Sequence, residues 1–326
     1  MNTHDLNLII EGVSKSFSSG EHLVLADINL QIPRGQFVAV VGPSGCGKTT
    51  LLNLILGTEK PTSGTQRIRT GSTDRWQEIE GHGKDRGIVY QNYPLFKSIK
   101  VIHQVALGLV LTNSTIPRRM LKRLTRVWKG EYQSYLDKAE QLLIRFGLGD
   151  DLLKYPYQLS GGMKQRVAIA RSLIMEPEIL LMDEPFGAQD VENREAAQDI
   201  LRDLYRENIK AMHEGRKPPY TVILVTHSLM EAVRVGDRVI GLGKKWDWQA
   251  QGYTRHPGAT IIYDKAAPYY ETDDTTEAGL LLQQSEELER ILFQTADLNP
   301  TTHRTFWDEE DARNKHTHGP TGVVKP

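Results

Sequence analysis

A glycine-rich loop between an apolar run and a helical pattern constrains this chain more than any other feature. The run Phe37–Val41 is short and rich in β-branched residues, which predicts a buried strand. The loop that follows it leads into a helical pattern over Thr49–Leu56. Glycines let successive backbone N–H groups turn towards one anion, and a helix N-terminus adds a favourable dipole. The order of strand, glycine-rich loop and helix therefore predicts a phosphate-binding P-loop.

The residue types in this loop predict a nucleotide with a magnesium ion. Lys48 would reach the β- and γ-phosphates, and the Thr49 hydroxyl would bind Mg²⁺. We therefore expect ATP and Mg²⁺ as cofactors. Cys46 lies at the helix N-terminus, where the pKa of a thiol tends to fall, and we hypothesise that its alkylation blocks ATP binding. The predicted phosphate-binding residues are Gly42, Pro43, Ser44, Gly45, Cys46, Gly47, Lys48, Thr49 and Thr50.

A second apolar run ends in two carboxylates. Ile179–Met182 predicts another buried strand, and Asp183 and Glu184 follow it directly. Asp183 would hold Mg²⁺ through its water shell, as a Walker B aspartate does, and Glu184 would face the water that attacks the γ-phosphate. Alone, this pattern also fits a strand end that meets solvent. Its place downstream of a P-loop favours the catalytic interpretation.

The segment 159–166 carries the most specific motif in the chain. It reads Leu-Ser-Gly-Gly-Met-Lys-Gln-Arg and resembles the signature of the ABC ATPase family, an LSGGQ sequence followed by a basic helix. Met163 stands where the family usually has glutamine. The resemblance implies that Ser160, Gly161 and Gly162 complete the ATP site of the opposite subunit, so that two cassettes enclose two nucleotides.

Four further positions match family elements in order along the chain. The resemblance implies that Gln91 is the Q-loop glutamine, which contacts Mg²⁺ and the attacking water. His227, just after the apolar run Thr221–Val225, would be the switch histidine that contacts the γ-phosphate. Phe17 stands where the family has an aromatic residue that stacks on adenine, although a core aromatic is the competing interpretation. Asp190 would be the D-loop aspartate at the partner subunit, with Gln189 in place of the usual leucine.

Apolar runs and helical patterns alternate along the chain, which predicts an α/β fold with a mostly parallel sheet. The stretch Leu8–Ile32 predicts an antiparallel β element. The resemblance implies a P-loop NTPase (ABC ATPase) core in a domain over 1–262, with an α-helical subdomain inserted at about 92–165. A C-terminal extension over 263–326 is expected to be partly helical with a flexible tail. The basic stretch 117–129 predicts either a solvated insertion or a membrane-facing helix.

Composition limits the partners that the chain can have. The formal net charge of −1 gives no global electrostatic case for nucleic acid, and none is expected. The single cysteine suits a reducing compartment. No run approaches the roughly 18 apolar residues of a membrane span, and the first residues do not resemble a signal peptide. If the protein acts in transport, we expect the membrane path in another chain.

The resemblance implies an ATP hydrolase coupled to transport. We expect an ABC subunit that energises uptake of a small solute, and Met182–Ala188 and Gln91–Phe96 resemble the nitrate/sulfonate/taurine class. The implied partners are a second ATPase subunit, transmembrane permease subunits and a solute-binding protein, at the cytoplasmic face of the inner membrane. The alternatives are an exporter ATPase and a soluble ABC ATPase that acts on DNA or ribosomes. The short separation of P-loop and signature, and the presence of one cassette, favour transport.

Overall fold

The structure is a computed structural model that describes most of the chain. It covers residues 6–17, 22–70, 75–113, 126–187, 191–254, 256–267 and 277–294. The strands in these ranges are β1 Leu6–Phe17, β2 His22–Pro33, β3 Phe37–Val41, β4 Ser63–Thr70, β5 Arg75–Glu78, β6 Arg86–Val89, β7 Ile179–Asp183, β8 Thr221–Val225, β9 Arg238–Gly243 and β10 Thr260–Ala266. The α-helices are α1 Lys48–Leu56, α2 Val101–Asn113, α3 Arg126–Arg145, α4 Gly161–Leu173, α5 Val191–His213, α6 Leu229–Val235 and α7 Glu277–Glu289.

A six-stranded sheet carries the P-loop. Its strand order is β10-β9-β3-β8-β7-β6, and every pair is parallel except β10 with β9. The three apolar runs expected as strands are β3, β7 and β8, three adjacent strands of this sheet. Their side chains are almost entirely buried, because both faces of a parallel sheet are covered. The predicted α/β class with a mostly parallel sheet is confirmed.

Side chains that alternate along β3 point into two separate cores. Val38 and Val40 pack with α1 and with apolar residues of a four-stranded sheet, β2-β1-β4-β5. Phe37, Ala39 and Val41 pack on the opposite face, against the remaining helices. The antiparallel element expected over Leu8–Ile32 is the β1–β2 pair, which lies in the four-stranded sheet.

The stretch expected as a helical subdomain contains α2, α3 and the start of α4. Val105 and Ala106 of α2 are buried in the same core as Ala139 and Leu143 of α3. Most of the basic stretch 117–129 lies outside the described residues, which resume at Arg126. None of the helices in the described ranges is long and apolar enough to cross a membrane.

The chain continues as part of the sheet past the expected end of the cassette. Strand β10 runs to Ala266 and pairs with β9, so a boundary after residue 262 falls inside a strand. Helix α7 and the π-helical turn Arg290–Gln294 then pack on the same core, where Leu288 and Leu292 are buried. The division into a cassette and an extension stays a prediction, and the expected tail lies outside the described residues.

Candidate active site

The candidate site lies where the parallel strands end. The P-loop begins directly after β3, Asp183 is the last residue of β7, and Gln91 and His227 each stand two residues beyond β6 and β8. The register pairs Asp183 with Val225 and Val40 with Val225, so the strands end at the same level. Carboxyl ends of parallel strands form the edge where α/β sheets bind ligands. The sheet therefore gathers these distant residues at one edge.

The P-loop is an open cradle that leads into α1. Gly45 and Gly47 have positive φ angles of 71° and 101°, which favour glycine. A Cβ atom at Gly45 would meet nothing within 4 Å. Gly47 caps α1 without a side-chain hydrogen bond, so the first-turn N–H groups stay available for an anion. The loop geometry fits a phosphate chain.

The Lys48 ammonium group lies inside this cradle. Its Nζ atom donates to the carbonyl oxygens of Gly42 at 2.7 Å and Pro43 at 3.2 Å. Only 7% of the residue is exposed. A buried cation held by neutral carbonyls still attracts an anion, because nothing in these two contacts neutralises its charge. Lys48 is therefore positioned to bind phosphate oxygens.

Thr49 and Asp183 form a pair of oxygen ligands next to the cradle. Thr49 Oγ1 donates to Asp183 Oδ1 at 3.3 Å. Burial raises the pKa of Asp183, and the neighbouring Glu184 charge raises it further against the hydrogen bond from Thr49. Hydroxyl and carboxylate oxygens are the ligands that Mg²⁺ prefers, and a divalent cation would relieve the cost of the buried charge. These two residues could hold the ion together with phosphate oxygens.

One oxygen of Glu184 gathers side chains from two other strand ends. Gln91 Nε2 donates to Glu184 Oε2 at 2.9 Å, and His227 Nδ1 lies 3.4 Å from the same atom. The His227 side chain is 59% exposed and the Glu184 side chain 25% exposed. The predicted Gln91 and His227 thus both lie within reach of Glu184. A water beside this carboxylate could be activated there.

The backbone of Glu184 is in an unfavourable conformation. Its φ angle is +46°, and the residue precedes Pro185, which restricts its conformation further. Left-handed backbone at such a residue costs about 1–3 kcal/mol and persists where the surroundings fix it. The Glu184 N–H donates to Val225 O at 2.9 Å, and the Gly187 N–H donates to Glu184 O at 3.1 Å. These two hydrogen bonds fix the backbone of the turn, and the turn fixes the direction of the Glu184 side chain.

A hydrogen-bond network holds the loop of His227. Thr226 Oγ1 donates to Glu231 Oε2 at 2.7 Å and accepts from the Ser228 N–H at 3.1 Å. Ser228 caps α6 by accepting from the Glu231 N–H at 3.3 Å. Glu231 was missed in the sequence, where an acidic residue three positions after a serine is an ordinary capping signal. The network fixes the backbone on both sides of His227.

The signature residues start a helix of their own, α4. Ser160 caps α4, and its Oγ atom accepts from the Met163 N–H at 3.3 Å. Ser160 and Gly161 are exposed and Gly162 is buried. A Cβ atom at Gly161 would meet nothing within 4 Å, so the helix N-terminus faces open space. This helix N-terminus is the candidate for the second anion site that the sequence predicts.

Phe17 ends β1 with its ring 40% exposed. The ammonium group of Lys15 lies 4.8 Å from the ring centroid and also donates to Glu59 Oε2 at 2.7 Å. The exposure favours an aromatic platform over the competing interpretation of a core residue. A cation on one face leaves the rest of the ring available for stacking.

The expectations for the D-loop residues and for Cys46 are not confirmed by the structure. Asp190 and Gln189 lie outside the described residues. The expected low pKa of Cys46 is wrong, because the residue is fully buried and burial raises the pKa of its thiol more than nearby Lys48 lowers it. The Cys46 side chain packs in the apolar core with Leu51 and Leu52 of α1. The thiol lies inside the core, so burial decides the direction of its pKa shift despite the nearby helix N-terminus.

A family model and several known proteins match large parts of this chain. A family model described as ABC transporter matches residues 25–187. The bicarbonate transport ATP-binding protein CmpC of Synechococcus elongatus is 40% identical over 240 residues, which are 73% of this chain and 32% of that protein. The sulfate/thiosulfate import ATP-binding protein CysA of Escherichia coli is 41% identical over 237 residues, 72% of this chain and 57% of that protein. The chain thus spans about a third of one relative and little more than half of the other.

Solved structures share the fold. The dimeric post-hydrolysis structure of the ATP-binding cassette MJ0796, bound to ADP and Pi, matches with a TM-score of 0.58 and 26% identity over 80% of this chain and 98% of that chain. An inward-facing structure of a putative metal-chelate type ABC transporter matches with a TM-score of 0.59, and its 20% identity supports the fold alone. These matches confirm the predicted ABC ATPase fold. Together with the family model and the relatives, they show that the chain belongs to the ABC transporter family, as an ATP-binding cassette.

Proposed function

We propose that this protein binds and hydrolyses ATP as the energising subunit of an ABC importer whose membrane-spanning subunits are separate chains. The observation that carries the proposal is the convergence of Lys48, Asp183 and Glu184 at one edge of the sheet, with Gln91 and His227 in contact with Glu184. A protein that binds ATP without hydrolysing it would need the phosphate cradle but no carboxylate next to that cradle. The full set favours hydrolysis.

The chemistry follows from the position of each group. Lys48 and the backbone N–H groups from Ser44 to Thr50 bind the phosphates and offset their charge. Thr49 and Asp183, with Gln91, would hold Mg²⁺, which would supply further positive charge to the transferring phosphoryl group. Glu184 accepts a proton from the water whose oxygen bonds to the γ-phosphorus, while the bond to the β–γ bridging oxygen breaks. His227 donates to a γ-phosphate oxygen, and ADP and phosphate leave.

The working enzyme in this proposal is a pair of cassettes. The N-terminus of α4 faces open space at Gly161, and Ser160 beside it is exposed. Ser160, Gly161 and Gly162 of one chain would close over the nucleotide bound to the other chain. The MJ0796 cassette is described as dimeric, which supports this arrangement. ATP binding would close the pair, and hydrolysis would release it.

We propose the start of α2 as the docking place for a cytoplasmic helix of the permease. Phe96 and Leu153 flank it and are 53% and 67% exposed. Backbone hydrogen bonds from Val101 to Lys154 and from Ile102 to Leu152 join the two flanks. Tyr157, 72% exposed, stacks on Tyr155 beside them at 5.7 Å. Exposed apolar and aromatic side chains at this place would suit an amphipathic helix at the cytoplasmic face of the inner membrane.

The proposed cargo is a small solute delivered by a solute-binding protein. The two relatives described above are named for bicarbonate and for sulfate and thiosulfate, which are small oxyanions. We propose a small oxyanion or sulfonate-like compound, within which nitrate, sulfonates and taurine remain candidates. The cassette would not touch the cargo, so its own site gives no finer assignment.

Two measurements test the proposal. The purified chain should hydrolyse ATP, and Lys48→Ala should abolish hydrolysis while Lys210→Ala, at an exposed position on α5, leaves it unchanged. The tagged chain, purified from membranes of its natural host, should bring with it a permease and a solute-binding protein. Recovery with a permease but without any solute-binding protein would favour an exporter. Recovery only with ribosomes or DNA would overturn the transport assignment.

A further inference from the structure

We propose that Tyr93 and Gln165 are positioning residues for Glu184 and that both act through one atom, the carbonyl oxygen of Pro185. The inference rests on the proposed function, because Glu184 is assigned there as the group that accepts a proton from water. It adds two residues that touch neither the phosphate cradle nor the attacking water.

The Pro185 carbonyl is a shared acceptor. Gln165 Nε2 donates to it at 2.7 Å, and the Tyr93 hydroxyl donates to the same oxygen. A carbonyl oxygen has two lone pairs and can accept both donors at once. Gln165 is fully buried and Tyr93 half-buried, so the contacts are shielded from competing water.

Gln165 is out of place on its helix unless it has this role. The face of α4 that includes it also carries Ala168, Ile169 and Ser172, all at most 9% exposed. A buried amide among such side chains is unfavourable unless its polar atoms are hydrogen-bonded. The bond to Pro185 O satisfies an amide N–H donor and fixes the side chain towards the turn that carries Glu184.

The clamped carbonyl belongs to Pro185, the residue directly after the strained Glu184. Glu184 has a φ angle of +46° immediately before a proline, and such a backbone persists only where several contacts define it. The Glu184 N–H bond to Val225 O fixes the turn on the β8 side. The two donors on Pro185 O fix it on the opposite side, so the direction of the carboxylate depends on both.

The donors come from two segments with different functions. Tyr93 stands two residues after Gln91 in the connection from β6 to α2, and it has a φ angle of +42° itself. Gln165 stands in α4, whose N-terminus is formed by the signature residues. One oxygen thus links the Q-loop and the signature helix to the backbone next to Glu184. A displacement of either segment would change the aim of the carboxylate.

The test uses Tyr93→Phe and Gln165→Met in the full chain, since each removes the donor and keeps most of the side-chain volume. We expect kcat for ATP hydrolysis to fall about threefold to tenfold in each, the factor for one lost hydrogen bond, with the Kd for ATP within about twofold. Tyr132→Phe is the matched control: it removes a hydroxyl of α3 that is bonded to His103 of α2, and it should leave kcat unchanged. A retained kcat in both test variants would overturn the proposal.

A second arm separates positioning of Glu184 from general loosening of the fold. In a Glu184→Gln background, Tyr93→Phe should cause no further fall in residual hydrolysis, because the group it positions is absent. An equal fall in both backgrounds would contradict the assignment. Amide hydrogen exchange gives a readout without turnover: exchange at Gly187, whose N–H bonds to Glu184 O, should quicken in both variants but not in Tyr132→Phe. Unchanged exchange would overturn the clamp, whereas a wild-type chain without ATPase activity would overturn the proposed function alone.

Discussion

Gln91 Nε2 donates a 2.9 Å hydrogen bond to Glu184 Oε2, which joins a residue two positions after β6 to the residue directly after β7. His227 Nδ1, from the end of β8, lies 3.4 Å from the same oxygen. The carboxylate therefore receives polar groups from both neighbouring strand ends and keeps its second oxygen, Oε1, outside these contacts. This arrangement makes Glu184 the centre of the site, and its substitution the most direct test of mechanism.

Glu184→Gln should separate ATP binding from hydrolysis. The amide keeps the size of the side chain but cannot accept a proton, and loss of general base catalysis typically lowers kcat at least about 100-fold. We expect the Kd for ATP to stay within about threefold, because the cradle around Lys48 is unchanged. ATP should then accumulate a stable dimer, measurable by sedimentation. Glu214→Gln, at an exposed position, is the control, and near-normal hydrolysis by the Glu184 variant would remove this residue from its role.

Asp183→Asn should stabilise the protein measured without ATP while abolishing magnesium-dependent hydrolysis. Burial raises the pKa of Asp183, so the folded protein binds this proton more tightly than the unfolded chain does, and ionisation disfavours folding. The penalty is absent below the usual aspartate pKa of 3.8 and grows as pH rises through the raised value. The asparagine carries no charge and can still accept the Thr49 hydrogen bond.

We expect the Tm of Asp183→Asn to exceed that of the wild type by about 1–3 °C at pH 8, and the difference to narrow as the pH falls towards 3.8. Thermal melts without nucleotide across this range measure it. Added Mg-ATP should raise the Tm of the wild type more than that of the variant. A variant less stable than the wild type at pH 8 would show that the Thr49 hydrogen bond outweighs the buried charge.

Local sequence patterns were sufficient for the parts of the fold that carry continuous signals. The strands β3, β7 and β8 are buried on both faces, so each appears in the sequence as an unbroken apolar run. Glycines with a following lysine predict the cradle, because the phosphate geometry depends on consecutive residues. Helix α3 starts at Arg126, and its exposed positions 129 and 130 give no apolar periodicity from which that start could be predicted.

Contacts between distant segments could not be predicted in the same way. Gln165 and Tyr93 are distant from Pro185 in sequence and meet it only through tertiary packing. A polar residue on an otherwise apolar helix face was the available signal for Gln165. The packing of Tyr263 in one core with Leu288 of α7 is a contact of the same kind, because α7 comes later in the chain. Sequence periodicity indicates which face of a helix or strand is buried, but it does not indicate which other elements cover that face.

Cys46 should react slowly with N-ethylmaleimide in the folded protein. The thiol is fully buried, and burial raises its pKa, so little thiolate is accessible at neutral pH. We expect modification at pH 7 to be at least about tenfold slower than in urea-unfolded protein, and to speed up steadily from pH 7 to pH 9. Mass spectrometry of timed samples measures both. Rapid modification at pH 7 that does not depend on pH would indicate a low thiol pKa instead.

Leu288→Ala should destabilise the whole cassette rather than the C-terminal segment alone. Leu288 of α7 is fully buried in the core that also holds Tyr263 of β10 and Val239 of β9. Contacts to this core are reinforced by hydrogen bonds from Gln284 Nε2 to Tyr263 Oη at 3.0 Å and from Lys265 Nζ to Glu287 Oε1 at 2.8 Å. Helix α7 therefore completes the edge of the six-stranded sheet.

Truncation of a buried leucine costs about 2–5 kcal/mol because it removes apolar contacts and leaves a cavity. We expect the free energy of unfolding in urea to fall by this amount in Leu288→Ala, in a single transition. Leu282→Ala, 51% exposed on the same helix, is the matched control and should change it by less than about 0.5 kcal/mol. If Leu288→Ala leaves the main transition unchanged, α7 is a detachable appendage and the cassette ends near residue 262. A loss of stability shared by the entire cassette would extend the folding unit through α7.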